Sequence, residues 1–136
     1  MADMIRNEFG SRRVLSGHNV LVVENEYYLA EDLARAVRCC GGAVVGPVAT
    51  AGEAIHLLET KPVSFAILDI ALDGHLVYPV ADQLMDADIP VVFATGLPNE
   101  MIPAPYRHIP CWVKPYLSIS LVAGSLHLLQ PRHCDT

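Results

Sequence analysis

The chain of 136 residues carries a net charge of −6, and 52% of its residues are hydrophobic and 18% charged. This balance predicts one globular domain and excludes a nucleic-acid-binding surface, which needs clustered Lys and Arg. No apolar stretch has the length of a membrane span, and the first residues lack the apolar segment of a secretory signal, so a cytoplasmic protein is expected. The four cysteines form no C-x-x-C pair, so neither a zinc site nor a disulfide framework is predicted.

Five short apolar segments alternate with helical patterns, which is typical of βαβ units around a parallel sheet. The predicted strands are residues 19–23, 43–48, 64–69, 90–95 and 111–113. Gly41-Gly42 ends the first helix, and Thr50 with Glu53 predicts a capping box at the start of the second. Asp73-Gly74 predicts a turn, and Pro79 opens a short third helix.

Prolines limit regular structure between the fourth and fifth strands. They stand at positions 98, 103, 105 and 110, so any fourth helix is a turn or two at most. The last helix is predicted from four leucines: Leu117, Leu121, Leu126 and Leu129. The whole pattern predicts an α/β, doubly wound, flavodoxin-like parallel sheet of five strands in the order 2-1-3-4-5. The domain is expected over residues 19–130, with flexible tails at 1–18 and 131–136.

The carboxyl ends of the strands are where such sheets carry their chemistry. These positions hold Glu24, Asn25, Asp69, Thr95 and Lys114. Two acids and an amide suit an oxygen-seeking cation such as Mg²⁺. An aspartate can accept a phosphoryl group as an acyl phosphate, and a metal, an ammonium and a hydroxyl would stabilise the transfer. Each residue alone also fits a loop, helix-cap or surface role, but their shared edge favours a phosphate-accepting site.

From about residue 19 to 129 the chain resembles the receiver domains of two-component response regulators. The resemblance is carried by VLVVENE, VVGPVATAGEAIHLL, FAILDIALDG, VVFATG and WVKPY. It implies that Asp69 is the phosphoacceptor and that Thr95 and Lys114 contact the phosphoryl group. The Mg²⁺ ligands that it implies are Glu24, Asn25, Asp69 and the backbone carbonyl of Ala71. The implied donor is a phosphohistidine on a sensor histidine kinase or phosphotransfer protein.

Three positions depart from the family pattern. Asn25 replaces the usual metal-ligating aspartate, which predicts weaker Mg²⁺ binding, slower phosphorylation and an altered acyl-phosphate lifetime. Cys111 stands where many members carry a switch Tyr or Phe, and Trp112 should face the other side of the strand, so the usual aromatic movement is not expected. VVFATGLP is similar to a subgroup of stand-alone receivers marked by Phe-Ala-Thr-Gly, an apolar residue and an aromatic. Leu97 matches that pattern and Pro98 does not.

Two functions of different classes follow from this sequence. The first is a phosphorylation-controlled switch without its own output domain, because the chain ends soon after the last helix. It would work by binding an unidentified partner protein or by shuttling phosphate, and would have no enzymatic activity beyond its own phosphorylation and dephosphorylation. By analogy with the family it could form a homodimer through the last strand and helix. The second is a phosphorylation-independent pseudo-receiver binding module, which Asn25 favours. A flavin or nucleotide enzyme is disfavoured because no glycine-rich loop follows the first strand.

Overall fold

The computed structural model describes residues 14–129. Its strands are β1 (Asn19–Val23), β2 (Ala43–Val48), β3 (Phe65–Leu68), β4 (Ala71–Leu72), β5 (His75–Leu76), β6 (Val91–Thr95) and β7 (Cys111–Val113). Its α-helices are α1 (Tyr27–Cys39), α2 (Ala51–Thr60), α3 (Tyr78–Asp86) and α4 (Ser118–Gly124). Among these residues, no helix is long and apolar enough to cross a membrane.

The main sheet has five strands in the order β2-β1-β3-β6-β7, and all neighbouring pairs are parallel. This is the predicted 2-1-3-4-5 arrangement, since the short pair β4–β5 forms a separate hairpin. The doubly wound fold predicted from the alternation of strands and helices is therefore confirmed. The strand order reverses between β1 and β3. At this topological switch point the carboxyl ends of the two strands lie side by side.

The two faces of the sheet carry separate hydrophobic cores. Alternate residues of β3 point to opposite faces, so Ala66 and Leu68 join the core under α2 and α3, while Phe65 and Ile67 join the core under α1 and α4. All four side chains are fully buried. A strand covered on both faces reads as an unbroken apolar run, which is why β3 could be predicted at the centre of the sheet.

The folded domain begins before the predicted boundary at Asn19. Leu15 is completely buried against the core under α1, and its backbone N–H donates to the carbonyl of Cys40 at 2.8 Å. Residues 14–18 therefore belong to the domain rather than to the tail predicted over 1–18. The remainder of that tail, and the tail predicted over 131–136, lie outside the described residues.

The last helix is shorter than its leucine spacing predicts. α4 ends at Gly124, Leu117 lies before its first residue, and a 3-10 turn covers Leu126–Leu129. A Cβ on Gly124 would lie 2.8 Å from the Cζ2 atom of Trp112. The bulk of Trp112 thus requires a glycine at this point, and glycine is a weak helix residue.

The segment between β6 and β7, residues 96–110, contains two 3-10 turns at Asn99–Met101 and Ala104–Tyr106 and no α-helix. This confirms the short, irregular fourth helix expected from the prolines. The ring of Tyr106 stacks on that of Tyr78 from α3 with centroids 4.3 Å apart, and its hydroxyl donates to Asp82 at 2.8 Å. These contacts fasten the segment, called the 96–110 loop below, to α3.

Candidate functional site

Backbone hydrogen bonds between strand ends fix the positions of the predicted site residues. The N–H of Asp69 donates to the carbonyl of Val23 at 2.8 Å, which sets Asp69 beside the start of the loop after β1. On the far side, the N–H of Lys114 donates to the carbonyl of Thr95 at 2.8 Å. Glu24, Asp69, Thr95 and Lys114 therefore occupy one edge of the sheet, as the reading of the strand ends predicts.

The side chains of Glu24, Asp69 and Lys114 meet at this edge. The Lys114 ammonium lies 3.2 Å from Oδ2 of Asp69 and 3.3 Å from Oε2 of Glu24. Glu24 is 2% exposed and Asp69 4% exposed, so two carboxylates share one cation in a largely dehydrated setting. Burial alone would lower the pKa of Lys114, but the two carboxylates outweigh it and raise that pKa, so the ammonium stays charged.

Glu24 carries more negative charge than its surroundings neutralise. Burial first, and then the nearby charge of Asp69, raise the pKa of its carboxyl to about 7 in spite of the opposing hydrogen bonds from Glu26 and Lys114 and the charge of Lys114. Its Oε2 accepts from the backbone N–H of Glu26 at 3.0 Å. Its Oε1 is buried and has no hydrogen-bond partner among residues 14–129. A buried acceptor of this kind is suited to an added cation.

Thr95 lies at the same edge, and its side chain makes no hydrogen bond to Asp69. It is 1% exposed, and its hydroxyl oxygen accepts a hydrogen bond from the N–H of Leu97 at 3.2 Å. The hydroxyl thus ties the end of β6 to the start of the 96–110 loop. Rotation of the side chain toward Asp69 would break this bond, so the position of Thr95 and the conformation of the loop are coupled.

Asn25 points to a neighbour that the sequence does not suggest. Its side-chain Nδ2 donates to Oδ1 of Asp73 at 3.0 Å. Asp73 and Gly74 both have positive φ, 48° and 86°, and they form the two-residue turn of the β4–β5 hairpin. The Asp73-Gly74 turn is as predicted, but the hairpin around it is not, because its strands have only two residues each.

The carbonyl of Ala71 stands outside the hydrogen bonds of this hairpin. Leu72 pairs with His75 next to the turn, and Val77 donates to the carbonyl of Ile70 at 3.0 Å. Antiparallel pairs alternate between bonded and non-bonded, so the pair between these two, Ala71 with Leu76, is non-bonded. The Ala71 carbonyl therefore keeps its acceptor capacity for another donor or ion.

The donor set fits a hard cation held by few protein ligands. Among the described residues, no group of three or more His, Cys, Asp or Glu side chains is placed to hold a metal. Mg²⁺ does not need one, because it keeps several waters and often takes one or two carboxylates plus phosphate oxygens. The unpaired Oε1 of Glu24, the carboxylate of Asp69, the amide oxygen of Asn25 and the Ala71 carbonyl are ligands of that kind.

Two residues outside the predicted site set also lie near the site: Glu26, which the sequence suggests as a partial substitute for the missing acid at position 25, and Tyr116. Oε1 of Glu26 lies 3.8 Å from the Lys114 ammonium, and this side chain is 64% exposed. The hydroxyl of Tyr116 is buried and has no partner among residues 14–129. Burial raises its pKa, and the charges of Glu24, Asp69 and Glu26 raise it further. The acidic run ENE marks Glu26 as a candidate, but no local pattern marks Tyr116.

Solved structures supply the comparison that decides the family. SdrG from Sphingomonas melonis Fr1 is 31% identical to this chain, with a TM-score of 0.72 over 86% of this chain and 98% of SdrG. The BeF3-activated conformation of SdrG, from Pseudomonas melonis Fr1, gives 34% identity and a TM-score of 0.69 over 82% and 94% of the two chains. The REC (receiver) domain of the PhyR response regulator from Erythrobacter litoralis gives 25% identity and a TM-score of 0.71 over 85% and 92% of the two chains. The chain belongs to the receiver-domain family. The resemblance drawn from the strand-end motifs is thereby confirmed.

Larger regulators contain a similar receiver. The anti-anti-sigma factor PhyR from Bartonella quintana is 28% identical, with a TM-score of 0.68 over 82% of this chain and 46% of PhyR. No family model and no curated protein matches the chain. PhyR is named an anti-anti-sigma factor, that is, a protein that acts on a partner protein.

Proposed function

We propose that this receiver is a two-component response regulator that accepts a phosphoryl group on Asp69 from a phosphohistidine of a sensor histidine kinase or phosphotransfer protein. The observation that carries the proposal is the Lys114 ammonium 3.2 Å from a buried Asp69 carboxylate. A cation at this distance can balance the charge that a phosphoryl group adds to the site. The similarity to SdrG, of which a BeF3-activated conformation is known, supports the same conclusion.

The transfer itself needs few protein groups. A carboxylate oxygen of Asp69 attacks phosphorus as the bond between phosphorus and the donor imidazole nitrogen breaks, and the released imidazole takes up a proton. Lys114 then pairs with a phosphoryl oxygen, and the Thr95 hydroxyl leaves the Leu97 N–H to donate to another. Bound Mg²⁺ would supply further positive charge at the phosphoryl oxygens, held by Glu24, Asn25, Asp69 and the Ala71 carbonyl.

Signalling follows from the coupling between Thr95 and the 96–110 loop. When the hydroxyl of Thr95 turns inward, Leu97 loses its hydrogen bond and the first residues of the loop are released. The other end stays fastened to α3 through Tyr106. The loop is thus the surface whose state reports phosphorylation to an unidentified partner protein. The protein would act in the cytoplasm, and its chemistry would be limited to gaining and losing this phosphoryl group.

A phosphorylation-independent binding module is the second candidate. One observation favours it: Asn25 brings no charge, and among residues 14–129 no group of three or more His, Cys, Asp or Glu side chains is placed to hold a metal. Such a module would keep the fold and the partner surface while leaving Asp69 unmodified. The two candidates make opposite predictions about the covalent state of Asp69.

Intact-mass measurement after incubation with acetyl phosphate and Mg²⁺ separates the two candidates. Wild type should gain one phosphoryl group, and Asp69→Asn should gain none. Asp86→Asn, at an exposed aspartate at the end of α3, is the matched control and should gain the group like wild type. If wild type gains nothing at any Mg²⁺ concentration, the binding module replaces the switch.

A further inference from the structure

The hydrogen bond between Asn25 and Asp73 joins the loop after β1 to the tip of the β4–β5 hairpin. The Nδ2 atom of Asn25 lies 3.0 Å from Oδ1 of Asp73. An ionised carboxylate only accepts hydrogen bonds, so this contact fixes which end of the amide faces the hairpin. The amide oxygen is left at the other end, and it accepts no hydrogen bond from any residue in the 14–129 range.

The hairpin that carries Asp73 is anchored in the core at its base. Leu72 is 3% exposed, and Ile70 and Val77 are fully buried, so the base of the hairpin is part of the core under α2 and α3. The positive φ values of Asp73 and Gly74 are those of a type I′ turn, which fixes the direction of the turn relative to its strands. Asp73 therefore lies in a turn of defined geometry whose strands are anchored in the core.

The contact depends on the amide at position 25. An aspartate there could not donate to Asp73, and two carboxylates would face each other at hydrogen-bonding distance. Asn25 and Asp73 are therefore chemically complementary. Asn25, the residue that departs from the usual acidic pattern, thus has a partner in Asp73 to which an amide can donate and an aspartate cannot.

We propose that Asp73 is a positioning residue for the cation site, which it serves by holding the NH₂ group of Asn25 so that the amide oxygen is available to Mg²⁺. This inference rests on the proposed function for the presence of Mg²⁺. The carboxylate of Asp73 also polarises the amide, which strengthens its oxygen as a ligand, as carboxylates do for metal-bound imidazoles. The negative charge of Asp73 thereby replaces part of the charge that Asn25 lacks, at a distance of one more hydrogen bond from the ion.

NMR of the uniformly ¹⁵N-labelled full chain tests the hydrogen bond and the affinity separately. The side-chain NH₂ signals of Asn25 report the contact without metal, and backbone shifts at Asp69 give the Mg²⁺ dissociation constant. Asp73→Ala should move the NH₂ signals and weaken Mg²⁺ binding by about tenfold, at the low end for such supporting groups. Asp86→Ala removes the same charge from an exposed site on α3 and should change neither quantity.

A reversed pair provides the rescue. Asn25→Asp alone should shift the backbone signals of Leu72 and His75, because the two carboxylates repel. Adding Asp73→Asn reverses the direction of the hydrogen bond and should return these signals to their wild-type positions. The inference is overturned if Asp73→Ala leaves the NH₂ signals and the Mg²⁺ affinity unchanged, if Asp86→Ala weakens binding equally, or if the reversed pair restores nothing.

Failure of this inference and failure of the proposed function give different results. If wild type binds Mg²⁺ with the predicted dependence on Asp73 but gains no phosphoryl group from acetyl phosphate, only the proposed function is wrong. If phosphorylation occurs and Asp73→Ala has no effect on Mg²⁺ affinity, only the role of Asp73 is wrong. If wild type binds no Mg²⁺, the role inferred for Asp73 is wrong.

Discussion

Replacing Glu24 by glutamine should stabilise the metal-free protein at alkaline pH. Glu24 is 2% exposed, shares one ammonium with Asp69 and has a buried oxygen without a partner among the described residues. Its carboxylate is therefore less stable in the folded protein than in water, and burial followed by the charge of Asp69 raises its pKa from 4.5 to about 7. Glutamine fills nearly the same volume without the charge.

The sign and size of the effect follow from that pKa. A group whose pKa is raised in the folded state stabilises the fold fully below its unfolded pKa, and this contribution is lost as the pH rises through about 7. Each pKa unit is worth about 1.4 kcal/mol, so the wild-type carboxylate costs up to about 3 kcal/mol above that pH. Since the glutamine weakens the contact with Lys114, we expect a net gain of about 2 kcal/mol.

Urea unfolding in EDTA, at several pH values, measures this prediction. The free energy of unfolding of Glu24→Gln should match that of wild type near pH 4 and exceed it by about 2 kcal/mol near pH 8. Glu59→Gln, at an exposed position of α2, should stay within about 0.5 kcal/mol of wild type throughout. A Glu24→Gln protein that is no more stable than wild type near pH 8 would show that Lys114 already compensates both carboxylates.

Three further substitutions probe the fold and the loop. Leu15→Ala should cost about 2–5 kcal/mol in urea unfolding because Leu15 is fully buried, and a change under about 0.5 kcal/mol would place residues 14–18 outside the domain. Gly124→Ala should cost about 1–3 kcal/mol and alter Trp112 fluorescence, since the new Cβ would lie 2.8 Å from the indole ring; an unchanged emission spectrum would contradict this. Tyr106→Phe should change stability by no more than about 1 kcal/mol but speed amide exchange in the 96–110 loop, as it removes the hydrogen bond to Asp82. Equal exchange rates would mean that ring stacking alone holds the loop.

The sheet and the edge that carries the site could be predicted because their signals are local. β1, β2 and β7 have the predicted bounds, and the chain order of the strands fixes which ends meet. The sequence therefore predicts that Glu24, Asn25 and Asp69 converge, with Thr95 and Lys114 at the same edge of the sheet. Their roles in phosphorylation stay predictions, because proximity shows what can react and not what does.

Other features depend on contacts between distant segments. Asn25 and Asp73 are 48 positions apart, and nothing in either local pattern marks the other as its partner. The indole of Trp112 leaves room only for a glycine at position 124, where α4 ends, and the spacing of the leucines does not reveal this contact. The capping box is a milder case: Thr50 accepts from Glu53 at 3.1 Å as predicted, but the Glu53 carboxylate accepts from the N–H of Ala49 rather than that of Thr50.

The prolines of the 96–110 loop also determine what this face offers to a binding protein. An α-helix uses its own backbone groups internally and presents side chains, whereas a loop of 3-10 turns leaves many of them outward. Proline has a carbonyl but no N–H, and four of the fifteen residues here are prolines. The loop therefore has four fewer backbone N–H donors than carbonyl acceptors, although the carbonyls of Pro98, Pro103 and Pro110 already accept from Met101, Tyr106 and Phe93. A protein that binds this loop meets more backbone acceptors than donors, which arginine, lysine and asparagine side chains can match.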